Sequence, residues 1–374
     1  MLTIAFLVAA VLVVSYSFLS SRRRRVLPPG PRPWPLVVNL FTIPKEVYAN
    51  WSRKYGSALV SVQTLGATMI ILNTAEAIQD LLVKRAAQYS DRPKSVVLSA
   101  TDDDARMIFQ QYGDKFKLNS LITRRRLNYS AASDNFLSIA YGIRPKSLYW
   151  ECDFRRLNSC RGSPVPQVSS HLDYRLPFEY VKNKMLNGTA ESSVCSRYLA
   201  SFEDIHSLND KVVENMRNVL GNVYLGGVDS TTGRNLTFLL AMLLYPEVQN
   251  KVQVAIDSVL QGRLPDFNDY GKIPYIEALI NEILRWRQSA PLIAPPDGEL
   301  NPNAPPVDLV WGLGMRICPG NVMAREFLWI MFTLFLTTFE MCDGVGADGR
   351  ALNRNDAEYV LNDIVTRHPV FNCT

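Results

Sequence analysis

The sequence lacks the residue patterns of several common protein classes. Its 374 residues contain six cysteines but no Cys-x-x-Cys pair, and only three histidines. This scarcity argues against a structural zinc site and against a disulfide framework. Excess charge of one sign is also small, because 40 Lys and Arg face 35 Asp and Glu, and the arginines at 22–25 supply four of the five net positive charges. A basic nucleic-acid-binding protein is therefore not expected.

Uncharged residues form one long run near the N-terminus. Residues 2–20 carry no charge, and such a run is long enough to cross most of a hydrocarbon core of ~30 Å. Because the arginine block at 22–25 follows it, the positive-inside rule predicts a single-pass anchor with the remaining chain in the cytosol. A cleaved signal peptide is the alternative, although its basic region would precede the apolar run. Five prolines at 27–35 then predict a stiff, extended hinge.

Hydrophobic periodicity predicts a mainly α protein with a small β-sheet. Strand-like runs occupy 58–62 and 68–72, and a capping box of Asn73 and Glu76 predicts a helix that ends near Ala87. No element can be placed with assurance within 101–200. Further helices are predicted at 45–54, 210–244, 246–260, 273–287 and 319–338.

A glycine-rich turn before the last predicted helix is the first candidate for chemistry. In the segment 311–320 (WGLGMRICPG), the glycines allow tight turns and Pro319 suits the first turn of a helix. Cys318 is therefore expected at a helix N-terminus, where the helix dipole and the nearby Arg316 should lower the pKa of its thiol. A thiolate suits iron, whereas the alternative is a buried cysteine at an ordinary junction between loop and helix.

Two further segments carry candidate residues. Glu282 and Arg285 lie three positions apart on the predicted helix 273–287, so they can form an ion pair on one face. The pattern alone is also typical of a solvent-exposed pair that contributes roughly a few tenths of a kcal/mol. The segment 226–233 (GGVDSTTG) is poor in helix-forming residues, so a loop between two helices is the alternative to a functional break.

The cysteine loop resembles that of the cytochrome P450 family, whose pattern is Phe-x-x-Gly-x-Arg-x-Cys-x-Gly. The chain matches it at Gly314, Arg316, Cys318 and Gly320, and Trp311 stands in place of Phe. The resemblance implies that Cys318 is the axial thiolate of the iron in haem b and that Arg316 pairs with a haem propionate. The other three residues would complete the cofactor-binding loop.

The two remaining segments resemble further motifs of this family, in the family's order. The Glu-x-x-Arg pair resembles the helix pair that has a structural role beneath the haem. The glycine-rich segment resembles Ala/Gly-Gly-x-Asp/Glu-Thr-Thr/Ser, the groove for dioxygen on the long central helix. This likeness implies a catalytic proton relay through Asp229, with Ser230 in place of the usual Thr and with Thr231 as a substitute hydroxyl.

The chain departs from the family pattern in two places. Cys318 follows Arg285 by only 33 positions (318 minus 285), too few for the strands and the aromatic-Arg segment of ordinary members. Phe116 and Ser120 replace the Trp and Arg of a Trp-x-x-x-Arg helix that contacts a propionate. We therefore expect an incomplete P450-like helical fold, truncated or internally deleted. A catalytically defective member with weak or no haem binding is the alternative to a working enzyme.

The resemblance implies a membrane-anchored eukaryotic member that inserts one oxygen atom from O2 into a small apolar substrate. Electrons would come from NADPH through NADPH–cytochrome P450 reductase, because the chain has no flavin or nicotinamide fingerprint of its own. The expected location is the endoplasmic reticulum membrane, with a single span and a cytosolic catalytic domain. The predicted organisation is an anchor at 1–21, a basic and proline-rich hinge at 22–44, and a haem-thiolate monooxygenase-like domain at 45–374, atypical at 101–200 and 291–308.

Overall fold

The computed structural model describes residues 27–31, 48–64, 67–94, 107–127, 175–202, 204–205, 209–286, 307–342, 360–362 and 365–367. Helices dominate these residues and the strands are few and short, so the prediction of a mainly helical fold with a minor sheet is confirmed. The chain divides into two compact units, one of residues 1–89 with 295–306 and one of residues 90–294 with 307–374.

The first unit contains helix α1 and a two-stranded sheet. Helix α1 spans Tyr48–Tyr55, and strand β1 (Leu59–Thr64) pairs antiparallel with β2 (Ala67–Leu72). The register sets Val60 opposite Ile71, close to the strands predicted from the alternating apolar residues. Val60 and Val62 are fully buried, whereas most of β2 is exposed, so β1 is the more buried strand of this small sheet.

The proline-rich segment lies along β1. The backbone N–H of Ser61 donates to the carbonyl of Pro29 at 3.0 Å, and the Ser61 hydroxyl donates to the carbonyl of Pro28 at 2.5 Å. Gly30 passes so close that a Cβ at this position would lie 1.9 Å from the Ser61 carbonyl oxygen, so only glycine fits. Part of the predicted hinge therefore adds hydrogen bonds to the sheet.

The helical stretch after β2 differs from its prediction. Helix α2 spans Ala75–Ile78 and is capped by Thr74, whose hydroxyl accepts from the backbone N–H of Ala77 at 3.2 Å. The prediction of Asn73 as the N-cap is therefore wrong. The cap is the next residue, Thr74, whose backbone is extended and whose side chain reaches the N–H of Ala77. A π-helical turn at Gln79–Val83 and helix α3 at Ala86–Tyr89 follow, so the predicted single helix is three short ones.

The second unit contains seven α-helices among the residues described. They are α4 (Asp114–Leu127), α5 (Arg175–Leu186), α6 (Val194–Leu199), α7 (Asp210–Leu244), α8 (Pro246–Leu260), α9 (Pro274–Trp286) and α10 (Asn321–Thr338). The four helices predicted after residue 209 agree within two residues at each end, and Pro246 opens α8 as expected. A hairpin of β3 (Val360–Asn362) and β4 (Val365–Arg367) lies near the C-terminus.

Two clusters of buried side chains form the core of this unit, and α7 and α10 contribute to both. The first cluster gathers α5, α6, the N-terminal half of α7 and Met323 of α10, with Phe178, Leu199, Met216 and Leu220 at its centre. The second gathers α8, α9 and the remaining parts of α7 and α10, with Phe238, Ile256, Ile280, Trp329 and Phe332 at its centre. The glycine-rich segment of α7 thus lies between the two clusters along that helix.

Helix α7 continues without a break through residues 226–233. Asn209 caps it, since its side-chain oxygen accepts from the backbone N–H of Lys211 at 2.9 Å. The alternative of a loop between two helices is wrong because buried residues on both sides hold the helix, and tertiary packing outweighs low helix propensity.

The membrane anchor predicted at 1–21 lies outside the described residues. Within the ranges that the structure does describe, every helix is too short or too polar to serve as a membrane span. This finding contradicts the predicted single-pass location in the endoplasmic reticulum membrane. The expectation relied on an apolar run that has no counterpart among the described helices.

Candidate functional site

The cysteine loop is a chain of tight turns between α9 and α10. A 3-10 turn at Val307–Trp311 precedes Gly312 and Gly314, which have φ values of +79° and +54°. The backbone N–H of Cys318 donates to the carbonyl of Trp311 at 2.5 Å and so closes the loop. A Cβ on Gly312 would lie 3.0 Å from the Arg316 carbonyl oxygen, so this glycine is required by both its φ and its surroundings.

The Cys318 thiol lies just before α10, as predicted, but its pKa moves in the other direction. Burial raises the pKa of this thiol above its ordinary value, while the backbone N–H of Gly320 and the charge of Arg124 lower it by less. The prediction of a lowered pKa is therefore wrong for the protein without a ligand. Removal of the sulfur from water disfavours the thiolate more than the turn before the helix favours it.

Arg316 holds the cysteine loop against the segments on either side of residue 100. Its Nε donates to the carbonyl of Ser90 at 2.8 Å, and its two terminal nitrogens donate to the carbonyls of Met107 at 3.0 Å and Gln110 at 2.6 Å. The guanidinium carbon also lies 3.8 Å from the centre of the Phe116 ring. Burial, and then the charge of Arg92, lowers the pKa of Arg316 to about 10.

Helix α4 contributes two site residues that motif reasoning missed. Phe116, named only as a replacement for Trp, is buried and stacks on the Arg316 guanidinium. Arg124, which lies on the same helix, is close enough to Cys318 for its charge to act on the thiol. The spacing of Phe116, Ser120 and Arg124 at four-residue intervals was a signal that all three share one face of α4.

Glu282 and Arg285 form the predicted pair on α9. Arg285 donates from Nε to one Glu282 carboxylate oxygen at 2.8 Å and from a terminal nitrogen to the other at 2.5 Å. The Arg285 side chain is 16% exposed and that of Glu282 is 51% exposed, so only the arginine is largely withdrawn from water. The hydrogen bond to Glu282 raises the pKa of Arg285, which stays cationic.

The three predicted relay residues lie consecutively on α7. The Ser230 hydroxyl donates to the carbonyl of Gly226 at 2.6 Å, one helical turn earlier. Thr231 is 8% exposed, and its hydroxyl has no hydrogen-bond partner among the described residues. The backbone of Asp229 is helical, whereas its side chain lies outside the described part of the structure.

The donor set of the loop fits a haem group. The Cys318 sulfur, near the end of the loop, accepts the backbone N–H of Gly320 and keeps lone pairs that can bind a metal ion. Arg316 has five N–H donors and uses three on carbonyls of the described residues, so two remain that can meet a carboxylate. A soft sulfur ligand beside a cation matches an iron porphyrin with acidic side chains.

Comparison with known proteins agrees with this donor set. The family model described as Cytochrome P450 matches residues 28–140 and 196–295. The chain is 31% identical to cytochrome P450 monooxygenase eriA of Hericium erinaceus, over 98% of this chain and 92% of that protein. It is 26% identical to cytochrome P450 monooxygenase COX2 of Coprinopsis cinerea, over 96% of this chain and 91% of that protein.

The chain therefore belongs to the cytochrome P450 family, and it is an oxidoreductase of the monooxygenase type. Haem iron is the general cofactor of this family, whose members typically use a redox partner and apolar substrates. The cysteine loop at 311–320 lies beyond the residues that the family model matches, but the alignment with eriA covers nearly all of this chain.

The same alignment supports the prediction of internal deletions. It extends over 493 positions although the chain has only 374 residues, so many positions of eriA face gaps in this chain. Because the alignment nevertheless spans 92% of eriA, the missing positions lie within the aligned span. Residues 141–195 are a different departure from the family, because they are present in this chain but lie unmatched between the two segments of the family model.

Proposed function

We propose that this protein is a haem-thiolate monooxygenase in which the thiolate of Cys318 would hold the iron of haem b. When bound, the haem would activate O2 so that one atom enters an apolar substrate and the other leaves as water, with two electrons and two protons consumed. The observation that carries the proposal is the closed cysteine loop, with the Cys318 amide bound to the Trp311 carbonyl at 2.5 Å and Arg316 beside it.

Cys318 and its loop would hold the metal. The backbone N–H of Gly320 donates to the Cys318 sulfur and would stabilise its negative charge. A bound iron cation favours the thiolate far more strongly than these neighbours do, so the raised pKa of the free thiol is compatible with ligation. Gly314, with a φ of +54°, allows the tight turn between Trp311 and Arg316.

Arg316 would bind a haem propionate through its two remaining N–H groups. Its bonds to the carbonyls of Ser90, Met107 and Gln110 orient the guanidinium before the cofactor arrives. Phe116 packs against the cation, with its ring centre 3.8 Å from the guanidinium carbon, and limits the exposure of the cation to water. Glu282 and Arg285 would have a structural role, because their ion pair joins two positions three residues apart on the same face of α9.

Thr231 is better suited than Ser230 to hold the proton of the relay. The Ser230 hydroxyl already donates its proton to a helix carbonyl at 2.6 Å. Thr231 is buried and keeps its hydroxyl proton available. We assign the acid that resupplies this proton to Asp229, which precedes both hydroxyls on α7.

The roles of the Ser230 and Thr231 hydroxyls can be distinguished by the amount of product formed per NADPH consumed. We expect Thr231→Val, which keeps the shape and removes the hydroxyl, to lower the product formed per NADPH by roughly 10²-fold or more, as loss of a proton donor does. Ser230→Ala should have a smaller effect. Equal losses in both variants would contradict the assignment of Thr231.

The proposed partners are NADPH–cytochrome P450 reductase and a small apolar substrate. The experiment that tests the function combines the purified protein, this reductase, NADPH and a panel of apolar compounds under oxygen-18-labelled dioxygen. A product that carries one labelled oxygen atom and forms only with NADPH is the expected result. Unlabelled product, or none under conditions in which the haem is reduced, would contradict the proposed reaction.

A further inference from the structure

Arg325 of α10 connects three elements around the cysteine loop. One terminal nitrogen donates to the side-chain oxygen of Asn281 on α9 at 3.0 Å. The other donates to a carboxylate oxygen of Asp308, in the 3-10 turn that opens the loop, also at 3.0 Å. The guanidinium carbon lies 5.6 Å from the centre of the Trp311 ring at the end of the same turn. The cation of this α10 residue thus contacts α9 and two residues of the turn.

Trp311 links this contact to the sulfur ligand. Its carbonyl accepts the backbone N–H of Cys318 at 2.5 Å. Its ring also packs against the second hydrophobic cluster, together with Val310. The position of Trp311 therefore fixes the backbone of Cys318 through one short hydrogen bond, and whatever holds Trp311 also holds the cysteine.

We propose that Arg325 is a positioning residue that sets the cysteine loop against α9 and α10 and so determines where the Cys318 sulfur lies. This inference rests on the proposed function, in which Cys318 binds haem iron. Arg325 would touch neither haem nor substrate. It would act through Trp311 and Asp308, in the way that groups around a metal ligand orient that ligand.

The geometry requires a guanidinium rather than any cation. Its planar fork donates from two nitrogens in different directions while its carbon lies 5.6 Å from the Trp311 ring centre, within the range of a cation–π contact, and a compact ammonium cannot make all three contacts. The Arg325 side chain is 23% exposed and Asp308 is 85% exposed. An ion pair with so exposed a carboxylate contributes little, so the bond to Asn281 and the contact with Trp311 should matter most.

This reasoning predicts an order among single substitutions. Arg325→Lys retains the charge but loses the fork and should weaken haem binding by roughly 10-fold or more, as loss of a partner near a metal ligand typically does. Asn281→Ala removes one of the two hydrogen bonds and should have an intermediate effect. Asp308→Asn removes only the exposed ion pair and should have the smallest effect.

Arg217 provides a matched control. It too pairs with a carboxylate, that of Glu179, and its guanidinium carbon lies 5.3 Å from the ring centre of Phe178. Its side chain is 25% exposed, nearly the same as that of Arg325. Both of its partners lie on α5, so Arg217→Lys disturbs a similar cluster without touching the cysteine loop.

The experiment measures haem affinity by titration and the spectrum of the reduced protein with carbon monoxide. We expect the wild type and Arg217→Lys to give the red-shifted Soret band of thiolate-ligated haem. Arg325→Lys should bind haem more weakly. Part of its Soret absorbance should move from the red-shifted band to the wavelength of haem that lacks a thiolate ligand. Unfolding in urea shows whether each variant is folded, and Asn281→Ala tests the same link with Arg325 still present.

Two results would overturn the inference. The first is an Arg325→Lys protein with the same haem affinity and the same band as the wild type. The second is an equal loss in Arg325→Lys and Arg217→Lys, which would indicate general destabilisation. The failure of the proposed function would look different, because the wild type itself would then lack the red-shifted band.

Discussion

Gly312 is the residue whose replacement most directly disturbs the cysteine loop. Its φ of +79° is unfavourable for any residue with a Cβ, and an added Cβ would crowd the Arg316 carbonyl oxygen at 3.0 Å. We expect Gly312→Ala to lower the free energy of unfolding by about 1–3 kcal/mol. Urea denaturation followed by circular dichroism measures this change.

Gly188 is a control that separates the cost of the positive φ from the cost of crowding by the added Cβ. It has a φ of +68°, but nothing lies within 4 Å of the Cβ that a substitution would add. Gly188→Ala should therefore cost only the backbone strain, about 1–2 kcal/mol, and less than Gly312→Ala. A Gly312→Ala protein as stable as the wild type would contradict the described loop geometry.

A buried carboxylate predicts a pH dependence of stability. Asp269 is 1% exposed and accepts two hydrogen bonds of 2.6 Å from Arg263, which hold the pKa of this carboxyl well below its ordinary value. A lowered carboxyl pKa stabilises the fold above the unfolded-state pKa, and this contribution is lost as the pH falls through the folded-state pKa. The loss therefore begins below about pH 4.

Asp269→Asn tests this dependence. We expect the variant to unfold at a lower urea concentration than the wild type near pH 7, with a difference that narrows toward about pH 3. Asp257→Asn, at an exposed position on α8, is the control and should behave as the wild type does. A constant difference across this pH range would exclude the charged Asp269–Arg263 pair as its source.

Individual residues show where prediction from sequence stops. The loop motif identified Cys318, Arg316 and the glycines because it depends on neighbours along the chain. The pKa of Cys318 depends on burial, and the contact of Arg316 with Phe116 joins residues 200 positions apart (316 minus 116). Tertiary packing decides such properties, and no spacing rule contains them.

At the level of elements, α7 and α10 are joined by an aromatic pair. The rings of Phe238 and Phe332 stack with their centres 4.0 Å apart and an angle of 11° between their planes. Both side chains are buried, each with 1% of its surface exposed. This contact fixes the helix that carries Ser230 and Thr231 against the helix that follows Cys318.

Phe332→Ala should therefore destabilise the protein by about 3–5 kcal/mol, as the loss of a buried phenylalanine ring does. The free energy of unfolding in urea gives this value. Phe339→Ala, which truncates a ring that is 61% exposed just after α10, should change stability by less than about 0.5 kcal/mol. Similar losses at both positions would contradict the packing described for the second cluster.

The helices after residue 209 were predictable because their apolar residues recur at helical spacing and because Pro246 and Pro319 suit the first turn of a helix. The continuity of α7 was not, since local propensity favoured a break at its glycines and hydroxyls. The helices α5 and α6 were also missed, because α5 mixes polar and apolar residues without a clear period and α6 has only six residues. Their buried faces are defined by contact with each other, with α7 and with Met323 of α10.

At the scale of the whole molecule, the central question is whether a P450 chain of this length retains its haem site. The relatives align along most of their own length, while many of their positions face gaps in this chain. The cysteine loop, the Arg316 contacts and the Glu282–Arg285 pair are nevertheless all present. We therefore expect the site to bind haem without the missing positions.

The most direct test is the spectrum of the purified, haem-supplied protein after reduction and addition of carbon monoxide. Ligation by Cys318 predicts the red-shifted Soret band that only a thiolate-bound haem gives, and it predicts that Cys318→His removes this band while a haem spectrum of another kind remains. Cys342→Ser, at an exposed free cysteine, should keep the band. A folded wild-type protein without the band, or a Cys318→His variant that retains it, would contradict the assignment of Cys318 as the iron ligand.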